Sequence, residues 1–188
     1  MQNRPQEALE YLEDAVSGDP AHVKAFLYLG IVYQQLDRPD DAIAVYERIL
    51  PRAGAEKARI AFNLGNVCFS KGDFDLARQY YTEAIGADPA YASAYLNRAN
   101  TLVRMGDLEK AILDYEVYLS LEPMSPKRDE AMELIAFILD EFAHAEKERA
   151  VSRPEMDRRT RLILDVTESL RTVAEDSRGF SVNFDEEE

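Results

Sequence analysis

The chain has 188 residues and a formal net charge of −14, a length that suits one domain or one repeat array with an added segment. So acidic a molecule repels phosphate backbones and anionic lipid surfaces, which argues against nucleic acid as a ligand. Cys68 is the single cysteine, so neither an intramolecular disulfide nor a cysteine-based zinc site is available, and His22 and His144 lack metal-ligand spacing.

No metal and no cofactor is therefore expected. No apolar run approaches the ~20 residues that span a bilayer, and Met1 is followed by polar Gln-Asn-Arg-Pro rather than by a leader pattern. No direct membrane insertion is expected of this chain, and the cytoplasm is the default compartment.

Taken in order, the sequence repeats itself. Ala8, Ala42, Ala77 and Ala111 occupy one recurring helical position, with separations 42−8 = 34, 77−42 = 35 and 111−77 = 34. Four residues after each stands Leu12, Tyr46, Tyr81 or Tyr115, and Pro20, Pro89 and Pro123 close three of the four units. A period of this size is the mark of a stacked helical array, because one helix pair cannot bury both of its faces alone.

The first segment holds only a second helix, from Pro5 to about Ser17. The next unit pairs a helix over about Ala21–Leu36 with one over Pro39–Leu50, and Asp37-Arg38-Pro39-Asp40 stands where later units have Gly-Asp. Those later turns are Lys71-Gly72-Asp73 and Met105-Gly106-Asp107. Small residues at Gly30, Gly65 and Ala99 let paired helices approach, and Leu29 and Leu64 fill the space between them.

Over roughly Gln2–Pro123 the pattern resembles the tetratricopeptide repeat (TPR), a 34-residue pair of antiparallel helices. The resemblance implies an all-α fold, a right-handed superhelix of such pairs. The array is expected over 1–125, as a half repeat at 1–22 and full repeats at about 23–57, 58–91 and 92–125. The third copy departs from the pattern: Arg98 stands where the family has leucine, and Leu102 replaces a frequent tyrosine. Because such arrays seldom begin at a second helix, the sequence reads as part of a longer protein, and an upstream signal or anchor is compatible with it.

Beyond the array, Pro123-Met124-Ser125-Pro126 breaks the chain. Ser125 is expected to cap a long helix over about Pro126–Val151, with Ala131, Leu134, Ile135, Ile138, Phe142 and Ala145 on one broad stripe. Ser152-Arg153-Pro154-Glu155 reads as the capping box of a last helix, about Pro154–Asp176. Its Met156, Ile163, Val166, Leu170 and Val173 follow the spacing of a helix-pairing seam. Residues 126–178 are thus two capping or assembly helices longer than the repeat helices. Residues 179–188 form a tail in which Phe180, Val182 and Phe184 precede four acidic residues, and it either docks or is solvated.

No catalytic constellation is present: there is no Gly-rich phosphate loop, and the carboxylates follow helix-surface spacing, so no enzymatic activity is expected. The resemblance instead implies a protein-interaction scaffold, with first helices lining a concave groove. Carried over to this chain, the groove positions are Lys24, Leu27, Tyr28 and Ile31, then Arg59, Phe62, Asn63, Asn66 and Phe69, then Leu96, Asn97, Asn100, Val103 and Arg104. The set holds four asparagines, which can serve both donors and acceptors of an extended backbone, and no carboxylate. Lys24, Arg59 and Arg104 are expected to favour a protein or peptide ligand with an acidic C-terminal segment, the chain's own tail included.

Some family members hold acidic chaperone peptides with a lysine–asparagine–arginine cluster. Asn66, Asn97 and Lys127 match its positions, but Phe62 and Ala131 replace its first lysine and its arginine, so chaperone binding is not carried over. The alternative to a groove adaptor is a structural assembly protein that oligomerises through the C-terminal helices or tail.

Overall fold

The computed structural model describes residues 5–151. The described elements are helices: α1 Pro5–Gly18, α2 Val23–Gln35, α3 Pro39–Ile49, α4 Lys57–Lys71, α5 Phe74–Ala87, α6 Ala92–Met105, α7 Leu108–Leu121 and α8 Arg128–Val151. Two short 3₁₀ turns, Leu50–Arg52 and Gly54–Glu56, carry the chain from α3 to α4, where the repeat spacing is one residue longer. The expected helix over 154–176 and the tail at 179–188 lie outside the described residues.

The chain divides after Ser125 into two compact units. In the first, α2 pairs with α3, α4 with α5 and α6 with α7, each pair packing on the next, and α1 packs on α2 as the half repeat. This is the superhelical stacking of antiparallel helix pairs.

Each pair is closed by the same turn. Backbone N–H groups of Arg38, Asp73 and Asp107 reach back to the carbonyls of Tyr33, Cys68 and Leu102 at 2.9 Å. One residue earlier in each turn, the residue donating to the Gln34, Phe69 or Val103 carbonyl has positive φ: Asp37 (56°), Gly72 (83°) and Gly106 (79°). These six-to-one bonds satisfy carbonyls left over at the helix end and need a left-handed residue, which glycine adopts freely and aspartate adopts at a cost. At the first turn the sequence places Asp37 in the glycine's position. The second helix then starts well, with Pro39 in its first turn beside Asp40 and Asp41.

The core follows from one repeated fit. Tyr46, Tyr81 and Tyr115 are buried to within 1% exposure, and two of their rings press on the small residue of the paired helix. A Cβ added to Gly30 would lie 2.3 Å from the Tyr46 ring, and one on Gly65 would lie 2.5 Å from the Tyr81 ring. Around them Phe26, Leu29, Ile49, Ile60, Leu64 and Val67 form an apolar cluster running from α1 to α4. Further along, Ala61, Ala84 and Ala94 meet with no exposed surface, which brings α4, α5 and α6 close together.

The third repeat solves its irregularity electrostatically. Arg98 donates from Nε and Nη2 to both oxygens of Asp114 at 2.7 Å, and from Nη1 to Thr82 at 3.1 Å. Asp114 is 6% exposed. A planar guanidinium matches a carboxylate in this two-pronged way, and the bond to Asp114 raises the arginine's pKa still further. The departure from leucine thus comes with a buried partner on α7.

The second unit is described here through α8 alone. This helix starts at Arg128 rather than Pro126, and the Ser125 hydroxyl pairs with the Tyr118 hydroxyl, while the backbone N–H of Ala131 reaches the Lys127 carbonyl. Its 24 residues span roughly 36 Å. Ala131, Ile138 and Ala143 are buried, Phe137 is 63% exposed, and Ala145, expected on the apolar stripe, is exposed.

Candidate functional site

α4 and α6 follow one another as first helices of consecutive repeats, and both present asparagines toward a pocket of about 240 Å³ lined by Asn66, Phe69, Tyr81, Asn97 and Asn100. The asparagines are fixed by their neighbours. Asn66 Oδ1 accepts two hydrogen bonds, from the Tyr81 hydroxyl at 2.9 Å and from Asn97 Nδ2 at 2.7 Å. Asn100 Oδ1 accepts from the Tyr115 hydroxyl at 2.6 Å. In the first repeat Gln34 Nε2 donates to the Tyr46 hydroxyl at 2.8 Å, so a carboxamide on the first helix meets the buried tyrosine of the second in all three full repeats.

Burial raises the phenol pKa of Tyr81 and Tyr46, with the amides of Asn97 and Gln34 acting weakly the other way. Both therefore remain neutral hydroxyls through the physiological range.

Four of the expected groove residues, Asn66, Phe69, Asn97 and Asn100, are brought together in this pocket. Others lie around it or elsewhere. Phe62 packs edge-on to Tyr91 at 5.0 Å and tilted to Tyr81 at 5.9 Å. Asn63, Ile31 and Val103 are half-buried, and Lys24 and Tyr28 are exposed. Arg59 is bonded to Glu56 at 2.9 Å, and Arg104 lies over the Phe74 ring at 4.9 Å.

Two expectations are corrected. Leu27 has no exposed surface and belongs to the core with Phe26 and Leu29, and Leu96 is 8% exposed. Their helix positions turn into the packing between helices, so neither side chain is offered to a ligand. The opposite omission is Tyr81. Its repeat position marks it as scaffold, yet its hydroxyl orients Asn66 at the pocket. The available signal was its chemistry, since a buried tyrosine hydroxyl needs a hydrogen-bond partner.

Other chemistry-bearing groups serve the fold. His22 caps α2, its Nδ1 accepting from the Ala25 N–H at 3.2 Å. Cys68 is 1% exposed, and burial pushes its thiol up to about 11, so it stays protonated and unreactive at neutral pH. Among the described residues no helix is long and apolar enough to cross a membrane.

Stacked helix pairs, each with a buried tyrosine on its second helix bonded to a carboxamide on its first, define a helical-repeat scaffold. Comparison with known families agrees: two tetratricopeptide repeat models match residues 22–90 and 62–129. The chain belongs to the tetratricopeptide repeat family. It is similar to stress-induced-phosphoprotein 1 of Caenorhabditis elegans, 36% identical over 67 residues, which is 36% of this chain and 21% of that protein. The chain spans about a fifth or less of the length of the curated relatives it matches. Among solved structures, MamA shares the fold at 24% identity and TM-score 0.60, over 74% of this chain and 89% of that one. The first TPR of Spaghetti (RPAP3), bound to the HSP90 peptide SRMEEVD, matches at 25% identity and TM-score 0.58, over 64% of this chain and 93% of that one.

Proposed function

We propose that this chain is a non-catalytic adaptor that holds an extended peptide or partner helix in the groove formed by its first helices, with Asn66, Asn97 and Asn100 at the centre. The observation that carries the reading is the fixed orientation of these carboxamides. Asn66 and Asn100 spend their oxygens inward on Tyr81, Asn97 and Tyr115, which leaves amide N–H donors for a ligand's carbonyls. Orienting donors before the ligand arrives lowers the entropy cost of binding. The peptide held by the RPAP3 repeat supports a ligand of this class. Lys24 is exposed on α2 and can receive acidic side chains that flank the bound segment, including those of residues 179–188 from this chain or another copy, whereas Arg59 and Arg104 would first have to leave Glu56 and the Phe74 ring. The chaperone cluster is incomplete at Phe62 and Ala131, so a chaperone tail is not the proposed ligand.

The test is titration of the full chain with peptides selected from a random display library. Asn66→Ala with Asn100→Ala is expected to weaken binding more than about tenfold, while Leu113→Glu on the far side of α7 leaves it unchanged. Binding that ignores the asparagine substitutions and fails with Leu113→Glu would move the site off the groove.

Assembly through the C-terminal helices is the second reading, favoured by the exposure of Phe137 on α8. Solution mass distinguishes it: a concentration-independent dimer that Phe137→Asp dissociates would establish assembly.

A further inference from the structure

We propose that the outward face of α7 docks an amphipathic helix of a partner protein, apolar along one stripe and flanked by lysine or arginine. This surface is separate from the groove and independent of the reading above.

α7 exposes large apolar side chains on three successive turns. Leu113 is 60% exposed, Val117 37% and Leu121 38%, and just beyond the helix Met124 is 92% exposed. Spacing of four keeps the three helical residues on one face. The repeat does not require them. Counted from the repeat alanines Ala42, Ala77 and Ala111, the same three positions hold Ala44, Arg48 and Arg52 in the first full repeat, and Gln79, Glu83 and Ala87 in the second. Those repeats stack with small or polar residues there, so the stripe on α7 serves something other than stacking. A contiguous apolar patch with a polar rim marks a docking surface.

The rim defines the partner's chemistry. Glu109 and Glu116 are the helical neighbours of Leu113, four residues before it and three after, and both are exposed. Glu122, exposed as well, ends the helix next to Leu121. The lysine of this helix, Lys110, is committed to Asp107, and the buried Asp114 is neutralised by Arg98. What remains on the rim is negative, in a chain of net charge −14. A helix with basic side chains beside an apolar stripe complements the face in both respects.

A second copy of this chain does not. Pairing two such faces would set carboxylates against carboxylates between two chains of the same excess charge. From Leu113 to Leu121 the stripe runs roughly 12 Å. A strip of that length and one helix wide offers far less than the roughly 600–1,000 Å² per partner that a stable dimer buries. It matches the footprint of one short helix.

The experiment titrates the full chain, by calorimetry, with a model peptide of about 18 residues, long enough to hold a helix, with leucines at three–four spacing flanked by lysines. Two controls accompany it: glutamate in place of lysine, and the same residues in scrambled order. The lysine peptide is expected to bind, more weakly as salt is raised, and each control to bind at least about tenfold less tightly. Leu113→Gln with Val117→Gln removes the stripe at constant charge and should weaken binding about tenfold or more, and Glu109→Gln with Glu116→Gln about threefold. Circular dichroism checks the fold of each variant, and Leu113→Gln alone serves if the double variant melts early.

A scrambled peptide that binds as tightly, or a stripe variant that binds unchanged, would reduce the effect to attraction of lysine by an acidic protein and overturn the proposal. Absence of binding overturns it too. So does a dimer, seen by solution mass without peptide, that Leu113→Gln dissociates, since a second copy then covers the face. Displacement of the probe by groove-selected peptides would place it in the groove, sinking the proposal while the groove reading stands. Failure of the groove in its own test leaves this face untouched.

Discussion

Replacing Arg98 by leucine would restore the family residue and still destabilise the protein. In the native structure Arg98 holds both oxygens of Asp114 at 2.7 Å, with side-chain exposures of 20% and 8%. Leucine at position 98 fills part of the space but leaves Asp114 as a buried charge without its partner. Breaking one side of such a pair costs about 3–5 kcal/mol, and leucine's own burial returns about 1–2 kcal/mol of that. The expected net loss is about 1–4 kcal/mol, or a fall in Tm of roughly 2–16 °C for a chain of this size. Urea denaturation followed by circular dichroism measures it, and hydrogen exchange in α6 and α7 localises it to the third repeat. The double variant Arg98→Leu with Asp114→Leu should recover most of the loss, since an apolar pair of suitable volume often matches a buried ion pair. A single variant within about 1 kcal/mol of the parent, or a double variant no better than the single, would refute the view that the pair compensates for the missing leucine.

Gly65→Ala should cost about 1–3 kcal/mol and weaken peptide binding as well, because the new methyl would meet the Tyr81 ring at 2.5 Å and displace the hydroxyl that orients Asn66; an unchanged melting curve would contradict the fit. Asp37→Gly should stabilise by about 0.5 kcal/mol, the relief of a left-handed aspartate exceeding glycine's added unfolded-state entropy, and a lowered urea midpoint would show that the aspartate contributes something else. Cys68, with its thiol pushed up to about 11, should resist iodoacetamide at pH 8 in the native state and react on denaturation; mass spectrometry showing rapid native alkylation would contradict its burial. Burial and the bond to Glu13 push the Tyr33 phenol up to about 12, and Tyr46, Tyr80 and Tyr81 are also raised. The folded state therefore keeps protons that an unfolded tyrosine releases near pH 10, so stability should decline as pH rises from about 10 toward 12. Urea midpoints that stay level across that range would argue against the buried phenols.

Much of the scaffold could be read from residue types in register. Ala42, Ala77 and Ala111, with a tyrosine four residues later, define a helix that must approach another closely, and Gly30 and Gly65 say where. The position of each turn followed from Gly72 and Gly106, and even Asp37 betrayed its role by standing in their place. Helix boundaries shifted by a residue or two because helix ends depend on local hydrogen bonds, as with α8, which starts at Arg128 and not at Pro126.

The candidate site was legible only in part. A helix pattern tells which residues share a face, so Asn66, Asn97 and Asn100 could be grouped, and their polarity kept them out of the core. The same pattern cannot say how far a neighbouring helix wraps over that face, and Leu27 and Leu96 were lost to the core for this reason. Nor could it give the direction of an amide. Sequence by itself determined the repeat, its stacking and the helices that carry the asparagines, because spacing and side-chain size govern packing between adjacent helices. Only the tertiary structure decided that Tyr81 and Asn97 fix the Asn66 carboxamide at the pocket, that Arg59 bonds Glu56 and Arg104 lies on the Phe74 ring, and that Arg98 has Asp114 as its partner. Those outcomes depend on hydrogen bonds between residues 15 to 31 positions apart, whose geometry is fixed only when the helices are in place.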